Sequence, residues 1–209
     1  MKRIGITQRV DIIESYGERR DALDQQWYDL VMQLNAIPIP LPNIHSELVP
    51  TLLHELNLDA VIFTGGNNLT YLDPTSRDCA PERDAFELTL ISELEKNDIP
   101  FLGVCRGMQI INHYYSGSLI AIKNHVATRH KIYGVEDSFK FASHVNSFHN
   151  WAIPHEGLAN ELNAIALDEN NNVEALIHKT KKIAGMMWHP ERESDTDATD
   201  LNFIKEILL

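Results

Sequence analysis

Through the first half of the chain, short apolar runs alternate with longer amphipathic stretches. Arg3-Ile4-Gly5-Ile6-Thr7 reads as a strand, and residues 21–34 as a helix with Leu23, Trp27, Leu30, Val31 and Leu34 on one face. Ala36 to Leu41 reads as a second strand ending in prolines. Residues 46–56 read as a helix with Ser46 as N-cap and Pro50 in its first turn. Asp59 to Thr64 reads as a buried strand, followed by a Gly65-Gly66-Asn67-Asn68 loop. Pro81 to Lys96 has helical spacing, with Phe86, Leu90, Ile91 and Leu94 on its apolar face. Phe101 to Val104 is a strand, and Arg106 to Tyr115 the helix after it. Strand–helix alternation at this spacing predicts an α/β fold with a mostly parallel sheet.

The second half changes period. Leu119–Ile122, Lys131–Val135, Phe139–Val145, Asn163–Asp168, Val173–His178 and Ile183–Trp188 read as strands, with no long helix between them. Asp168-Glu169-Asn170-Asn171-Asn172 is a hairpin turn, and Asp200 to Leu208 a closing helix. No repeat, low-complexity tract or linker divides the chain, so one domain over residues 1–209 is expected.

Composition narrows the class. The chain has 209 residues, 44% of them hydrophobic, and a formal net charge of −12. That charge argues against nucleic acid or an anionic membrane surface as a partner. No run approaches the ~20 apolar residues of a membrane span, and only a few apolar residues follow Met1-Lys2-Arg3. The two cysteines, Cys79 and Cys105, make no disulfide framework, so a reduced, cytoplasmic protein is expected.

The chemistry concentrates where the apolar run Phe101–Val104 meets Cys105. Gly103 and Gly107 flank the cysteine, as a nucleophile on a sharp strand-to-helix turn requires. A helix N-terminus and a nearby imidazole both favour a thiolate. Met187-Trp188-His189-Pro190-Glu191 supplies the imidazole. In an extended segment residues i and i+2 face the same side, so Glu191 can orient His189 toward the sulfur. A cysteine hydrolase of an amide or ester follows, with Cys105, His189 and Glu191 as its triad. The backbone N–H groups of Gly66 and Arg106 are candidates for an oxyanion hole. The chain lacks G-x-G-x-x-G and G-K-[ST], which weakens a phosphate-loop reading of Gly65-Gly66.

Ten histidines raise the question of a metal. His125 and His130, like His144 and His149, are five apart, not at the helical i, i+4 spacing of zinc motifs, and cysteine partners are missing. No metal and no cofactor is expected, and His149 is read as part of a substrate loop. The basic segment Lys123–Lys131, with Arg129 and His130, reads either as a solvated loop or as a contact for an anionic leaving group.

Five motifs in order resemble the class I glutamine amidotransferase superfamily and, within it, the γ-glutamyl hydrolase-like peptidases. They are Thr64-Gly65-Gly66-Asn67-Asn68, Pro81-Glu82-Arg83-Asp84, Gly103-Val104-Cys105-Arg106-Gly107-Met108-Gln109, Val145-Asn146-Ser147-Phe148-His149 and Trp188-His189-Pro190-Glu191. The resemblance implies a flavodoxin-like α/β/α fold, the Cys105–His189–Glu191 triad, the Gly66 and Arg106 oxyanion hole, and glutamyl thioester chemistry. It implies that Gln109 and the backbone of Ser147 and Phe148 hold the ends of the glutamyl group. Asn67, His149 and Arg83 are counted with these substrate-binding residues. The implied partner is a small γ-glutamyl compound. The amino-terminal Gly5-Ile6-Thr7-Gln8-Arg9 and Tyr16-Gly17-Glu18-Arg19-Arg20 are similar to a group from bacterial capsule gene clusters. That group removes glutamate from γ-glutamyl-CDP-amidate to leave cytidine diphosphoramidate. On this reading Arg9, Arg19, Lys123 and Arg129 contact a nucleotide diphosphate conjugate. The alternatives are a γ-glutamyl-γ-aminobutyrate hydrolase and a glutaminase subunit delivering ammonia to a separate synthase.

Overall fold

Successive side chains of a strand point to opposite faces, and the central strands are apolar on both, which demands a covering layer on each side. The computed structural model describes residues 1–135, 139–193 and 196–209. Its first half runs β1 (Lys2–Thr7), β2 (Arg9–Ile13), β3 (Glu18–Ala22), α1 (Gln26–Gln33), β4 (Ala36–Leu41), α2 (Val49–Leu56), β5 (Ala60–Phe63), α3 (Pro81–Lys96), β6 (Phe101–Val104) and α4 (Arg106–Tyr114). The second half runs β7 (Ile120–Ala121), β8 (Val126–Gly134), β9 (His144–Phe148), β10 (Trp151–Pro154), β11 (Leu162–Asp168), β12 (Asn172–His178), β13 (Ile183–Met186) and α5 (Ala198–Leu208).

The main sheet has the order β4-β1-β5-β6-β13-β12-β11-β8-β9. The five strands from β4 to β13 are parallel, and those from β12 to β9 pair antiparallel. Ile4, Ile6, Ile62 and Val104 face α1 and α5, meeting Trp27, Leu30, Phe203 and Ile204. Val61, Phe63 and Phe101 face the other way, onto Leu53, Phe86, Leu90 and Met108 of α2, α3 and α4. The result is the expected α/β architecture, with helices on both faces of a mixed sheet whose core is parallel. No described helix is long and apolar enough to cross a membrane.

Three local expectations need correction. The helix predicted over 21–34 begins only at Gln26, because residues 9–13 and 18–22 form a separate two-stranded hairpin, β2–β3. Ser46 does not cap α2. Its hydroxyl donates to the Ala85 carbonyl at 3.2 Å from a single 3₁₀ turn, and α2 starts at Val49 with Pro50 in its first turn. The strand predicted over 139–145 lies later, at His144–Phe148, where it pairs with β8.

Candidate active site

The elbow is built by close approach. A Cβ on Gly107 would sit 2.0 Å from the Phe63 carbonyl oxygen, and one on Gly103 would sit 2.4 Å from Gly107 backbone atoms. Only glycine lets α4 descend this tightly onto β5 and β6. Cys105 sits between them with φ 53° and ψ −109°, an unusual backbone conformation for a side chain-bearing residue. Its N–H donates to the Met186 carbonyl at 2.8 Å, so the turn is pinned to β13. Helix α4 starts at Arg106, whose N–H therefore has no partner within its own helix.

His189 follows β13 at the same carboxyl edge. Its Nδ1 lies 2.6 Å from Glu191 Oε1, and both side chains are almost wholly buried. The pair is not the extended i, i+2 arrangement expected from the sequence, because Pro190–Arg192 forms a 3₁₀ turn that folds Glu191 back under the ring. Burial works against a charged imidazole here. The Glu191 carboxylate, then the charge and hydrogen bond of the Cys105 sulfur, outweigh it and raise His189 to about 9. Gly65 closes the other side: a Cβ there would be 2.6 Å from His189 Cε1 and 3.5 Å from Cys105 Cβ. The Gly65 backbone thus lies against both the His189 and Cys105 side chains.

The sequence motifs give Asn146 no role of its own. In the structure its side chain accepts from His189 N and donates to His189 O, both at 2.8 Å, locking the peptide of the histidine to β9. The adjacent Phe148 ring meets the imidazole edge-on at 5.7 Å, and the Arg192 guanidinium lies 4.5 Å over that ring.

Three residues counted as substrate-binding, Arg83, Asn67 and His149, are turned elsewhere. Arg83 is fully buried, and its guanidinium is spent on protein groups: Thr64 O at 2.8 Å, Gly65 O at 3.1 Å, Gly66 O at 2.5 Å and Glu87 at 2.8 Å. It braces the glycine loop from behind. Glu87 also pairs with Arg106, whose side chain reaches Asp84 too. Burial opposes the charge on Glu87, but Arg106 and Arg83 together hold its carboxyl below the usual range. Asn67 likewise has no free amide: it exchanges hydrogen bonds with Val10 N and O at 2.8 and 2.9 Å and donates to Asp78 at 3.1 Å. It ties the β2–β3 hairpin to the loop.

Gln109, one turn into α4, donates from Nε2 to Trp151 O at 3.1 Å. Ser147 is buried, with its hydroxyl donating to His125 O at 2.6 Å. His149 does not reach the cleft. Its Nδ1 bonds the same Trp151 O at 2.9 Å, and burial drives it down to about 4. Its ring packs with His125 and His130, at centroid distances of 5.2 and 6.3 Å, over buried Glu174. One ligating atom from each of His125, His149 and Glu174 lies within 4.8 Å of the others. The expectation of no metal rests on helical spacing and on missing cysteine partners. The cluster forms across strands, which that spacing rule does not see.

The basic residues divide. Arg9 and Arg192 line a cavity of about 70 Å³ with Gly65, Gly66 and His189, and Arg9 packs directly over Gly66. Arg9 also opens onto a much larger cleft of about 820 Å³ along residues 9–14 and 77–79. The larger space adjoins the small cavity lined by His189 and shares Arg9 with it. Arg129 and Arg192 border a further cleft of about 510 Å³ beside Phe148, with Arg129 paired to Glu193 at 2.7 Å. Arg19 is instead paired with Glu82 at 2.5 Å, which spends its charge, and Lys123 is exposed and borders none of these three cavities. Arg192 had no place in the sequence reading, although it directly follows the His189–Glu191 motif.

The Peptidase C26 family model matches residues 3–191. The chain is 35% identical to the γ-glutamyl-CDP-amidate hydrolase of Campylobacter jejuni subsp. jejuni serotype O:2, over 97% of this chain and 96% of that protein. The crystal structure of a Thermoplasma acidophilum protein assigned to GMP synthase superposes with a TM-score of 0.70 at 18% identity, covering 99% of this chain and 92% of that one. A Thermotoga maritima glutamine amidotransferase gives a TM-score of 0.64 at 19% identity, over 91% of this chain and 76% of that one. The fold is that of the class I glutamine amidotransferases, and the chain belongs to the Peptidase C26 family.

Proposed function

We propose that the protein hydrolyses the γ-glutamyl amide bond of a small conjugate through a Cys105–His189–Glu191 triad, and that the conjugate is γ-glutamyl-CDP-amidate. The observation that carries the chemistry is the buried His189 ring bonded to the Glu191 carboxylate at 2.6 Å, with the Gly65 backbone against both that ring and Cys105. Support for the substrate is full-length similarity to a hydrolase of that compound, together with Arg9 and Arg192 at the mouth of the site.

In the first half-reaction the Cys105 thiolate attacks the γ-carbonyl carbon. A C–S bond forms and the carbonyl electron pair moves to oxygen, where the N–H groups of Gly66 and Arg106 stabilise it. The tetrahedral intermediate collapses and the C–N bond breaks. His189 gives its proton to the departing nitrogen, leaving cytidine diphosphoramidate and a glutamyl thioester. In the second half, His189 takes a proton from water as the oxygen attacks the thioester. The C–S bond breaks, glutamate leaves, and the thiolate–imidazolium pair is restored. Glu191 holds the ring and balances its charge throughout. Gln109 and the backbone of Ser147 and Phe148 position the glutamyl group. Arg9 and Arg192 receive the diphosphate, whose charge matches theirs despite the acidic chain as a whole.

The test is glutamate release from glutamine, γ-glutamyl-γ-aminobutyrate and γ-glutamyl-CDP-amidate, with Cys105→Ala as the blank. Rapid release from the nucleotide conjugate alone supports the proposal. Preference for γ-glutamyl-γ-aminobutyrate overturns the substrate assignment and keeps the chemistry. Release from all three by Cys105→Ala overturns the triad.

A further inference from the structure

We propose that His125, His149 and Glu174 form a binding site for one divalent transition-metal ion, zinc being the probe ion, behind the strand that faces the reacting groups. The cluster is outside the reaction proposed above and does not depend on it.

The donor set is matched to such an ion. His149 Nδ1 lies 2.9 Å from the Trp151 carbonyl oxygen. A carbonyl only accepts, so the ring proton sits on Nδ1 and Nε2 carries a lone pair. That lone pair faces Glu174 Oε1 at 4.0 Å, which is another electron-pair donor. Both atoms are buried and neither has a hydrogen-bond partner. His125 Nδ1 is a third buried atom without one. Two of these atoms, His149 Nε2 and Glu174 Oε1, face each other in a buried space with no partner, an arrangement that a cation bound between them and His125 would satisfy. Imidazole nitrogen and carboxylate oxygen at about 2.0–2.2 Å are ordinary zinc ligands. Ligand atoms at the corners of a tetrahedron with such bonds are about 3.3–3.6 Å apart, so the observed spread, within 4.8 Å, needs only a modest contraction.

The surroundings resemble those that orient metal ligands. His149 is held by its N–H···O=C bond to Trp151, the arrangement that fixes tautomer and ring direction at metal centres. Glu174 Oε2 lies 3.2 Å from His130 Nε2, without hydrogen-bond geometry, while Oε1 is the oxygen nearer His149. His125 is anchored through its own carbonyl, which accepts from Ser147 Oγ at 2.6 Å and from His149 N at 3.1 Å. The ligands come from the loop before β8, the turn after β9 and from β12, elements far apart in sequence. An ion would therefore cross-link the antiparallel half of the sheet. Trp151 O also accepts from Gln109 Nε2, and Phe148 packs on His189, so the cross-link would steady the strand that carries Ser147 and Phe148.

The experiment uses full-length Cys105→Ala protein, which removes the thiolate as a competing metal ligand. After treatment with a chelator and dialysis it is titrated with zinc by calorimetry, and with cobalt(II) by visible absorption. One ion per chain, with the cobalt bands of a low-symmetry nitrogen and oxygen site, is expected. In the same background His149→Ala and Glu174→Gln should weaken binding by about 100-fold, and His130→Gln by about tenfold. Should a buried variant fail to fold by circular dichroism, His125→Ala, in a loop and only partly buried, makes the same test. Absence of saturable binding overturns the proposal. So does an affinity unchanged in His125→Ala and His149→Ala, which would assign the ion to other surface groups.

Discussion

Replacing Glu191 by glutamine keeps the shape of the side chain and deletes its charge. In the native protein Glu191 Oε1 is 2.6 Å from His189 Nδ1, and both side chains are almost wholly buried. Burial alone would lower the imidazole from its ordinary 6.5. Glu191, followed by Cys105, raises it to about 9 instead. A shift of that size is worth about 3 kcal/mol in favour of the imidazolium. The sign follows from linkage: a group whose pKa is raised on folding stabilises the fold fully below its unfolded value, here 6.5, and loses that contribution as pH rises through about 9. In Glu191→Gln only Cys105 opposes burial, so the pKa of His189 falls. The alkaline limb of kcat/KM should move by at least about one pH unit toward acid. The alkaline loss of thermal stability should move with it. On the proposed mechanism turnover should fall far less than in Cys105→Ala, which removes the proposed nucleophile. An unmoved alkaline limb would refute the charge argument, and equal losses in the two variants would mean that the glutamate does more than orient the base.

Other consequences can be checked more simply. Gly107→Ala would place a Cβ 2.0 Å from the Phe63 carbonyl oxygen, so a loss of about 1–3 kcal/mol or more is expected, and an unchanged melting temperature would count against the elbow packing. Arg83→Met strips buried Glu87 of one partner and leaves the Thr64, Gly65 and Gly66 carbonyls without their donor. Urea unfolding should show a loss of about 3–5 kcal/mol, with Arg83→Lys intermediate because an ammonium cannot reproduce the fork. Asn146→Ala removes both hydrogen bonds to the His189 peptide and should lower kcat more than it raises KM; an unaltered kcat would show that the clamp is dispensable. Arg9→Ala and Arg192→Ala should raise KM for γ-glutamyl-CDP-amidate while leaving KM for glutamine nearly unchanged, and equal effects on both substrates would remove the diphosphate contact.

The legible parts of this protein are those whose physical cause is local. The turn at Cys105 shows itself because two neighbouring glycines are a steric requirement of a helix packed onto two strands. His189 and Glu191 are two residues apart, so their meeting needed only a bend of the backbone. The helix at Pro81–Lys96 and the strand at Ala36–Leu41 have the predicted bounds, since side-chain period and proline placement act within the segment itself. The β2–β3 hairpin was hidden because most of its side chains are not buried, so no apolar alternation marks it, and the helical period of α1 overlaps its end. Tertiary structure alone decided what Arg83, Asn67 and Asn146 do. Each bonds backbone that folding brings beside it, from Thr64–Gly66, Val10 and His189 respectively. Strand order decided the histidine cluster as well. His125, His149 and Glu174 converge because β8 pairs with β9 while β10, which follows His149, pairs with β12. Residue type and short spacing carry sterics and periodicity, whereas partners set by sheet register exist only once distant strands have paired.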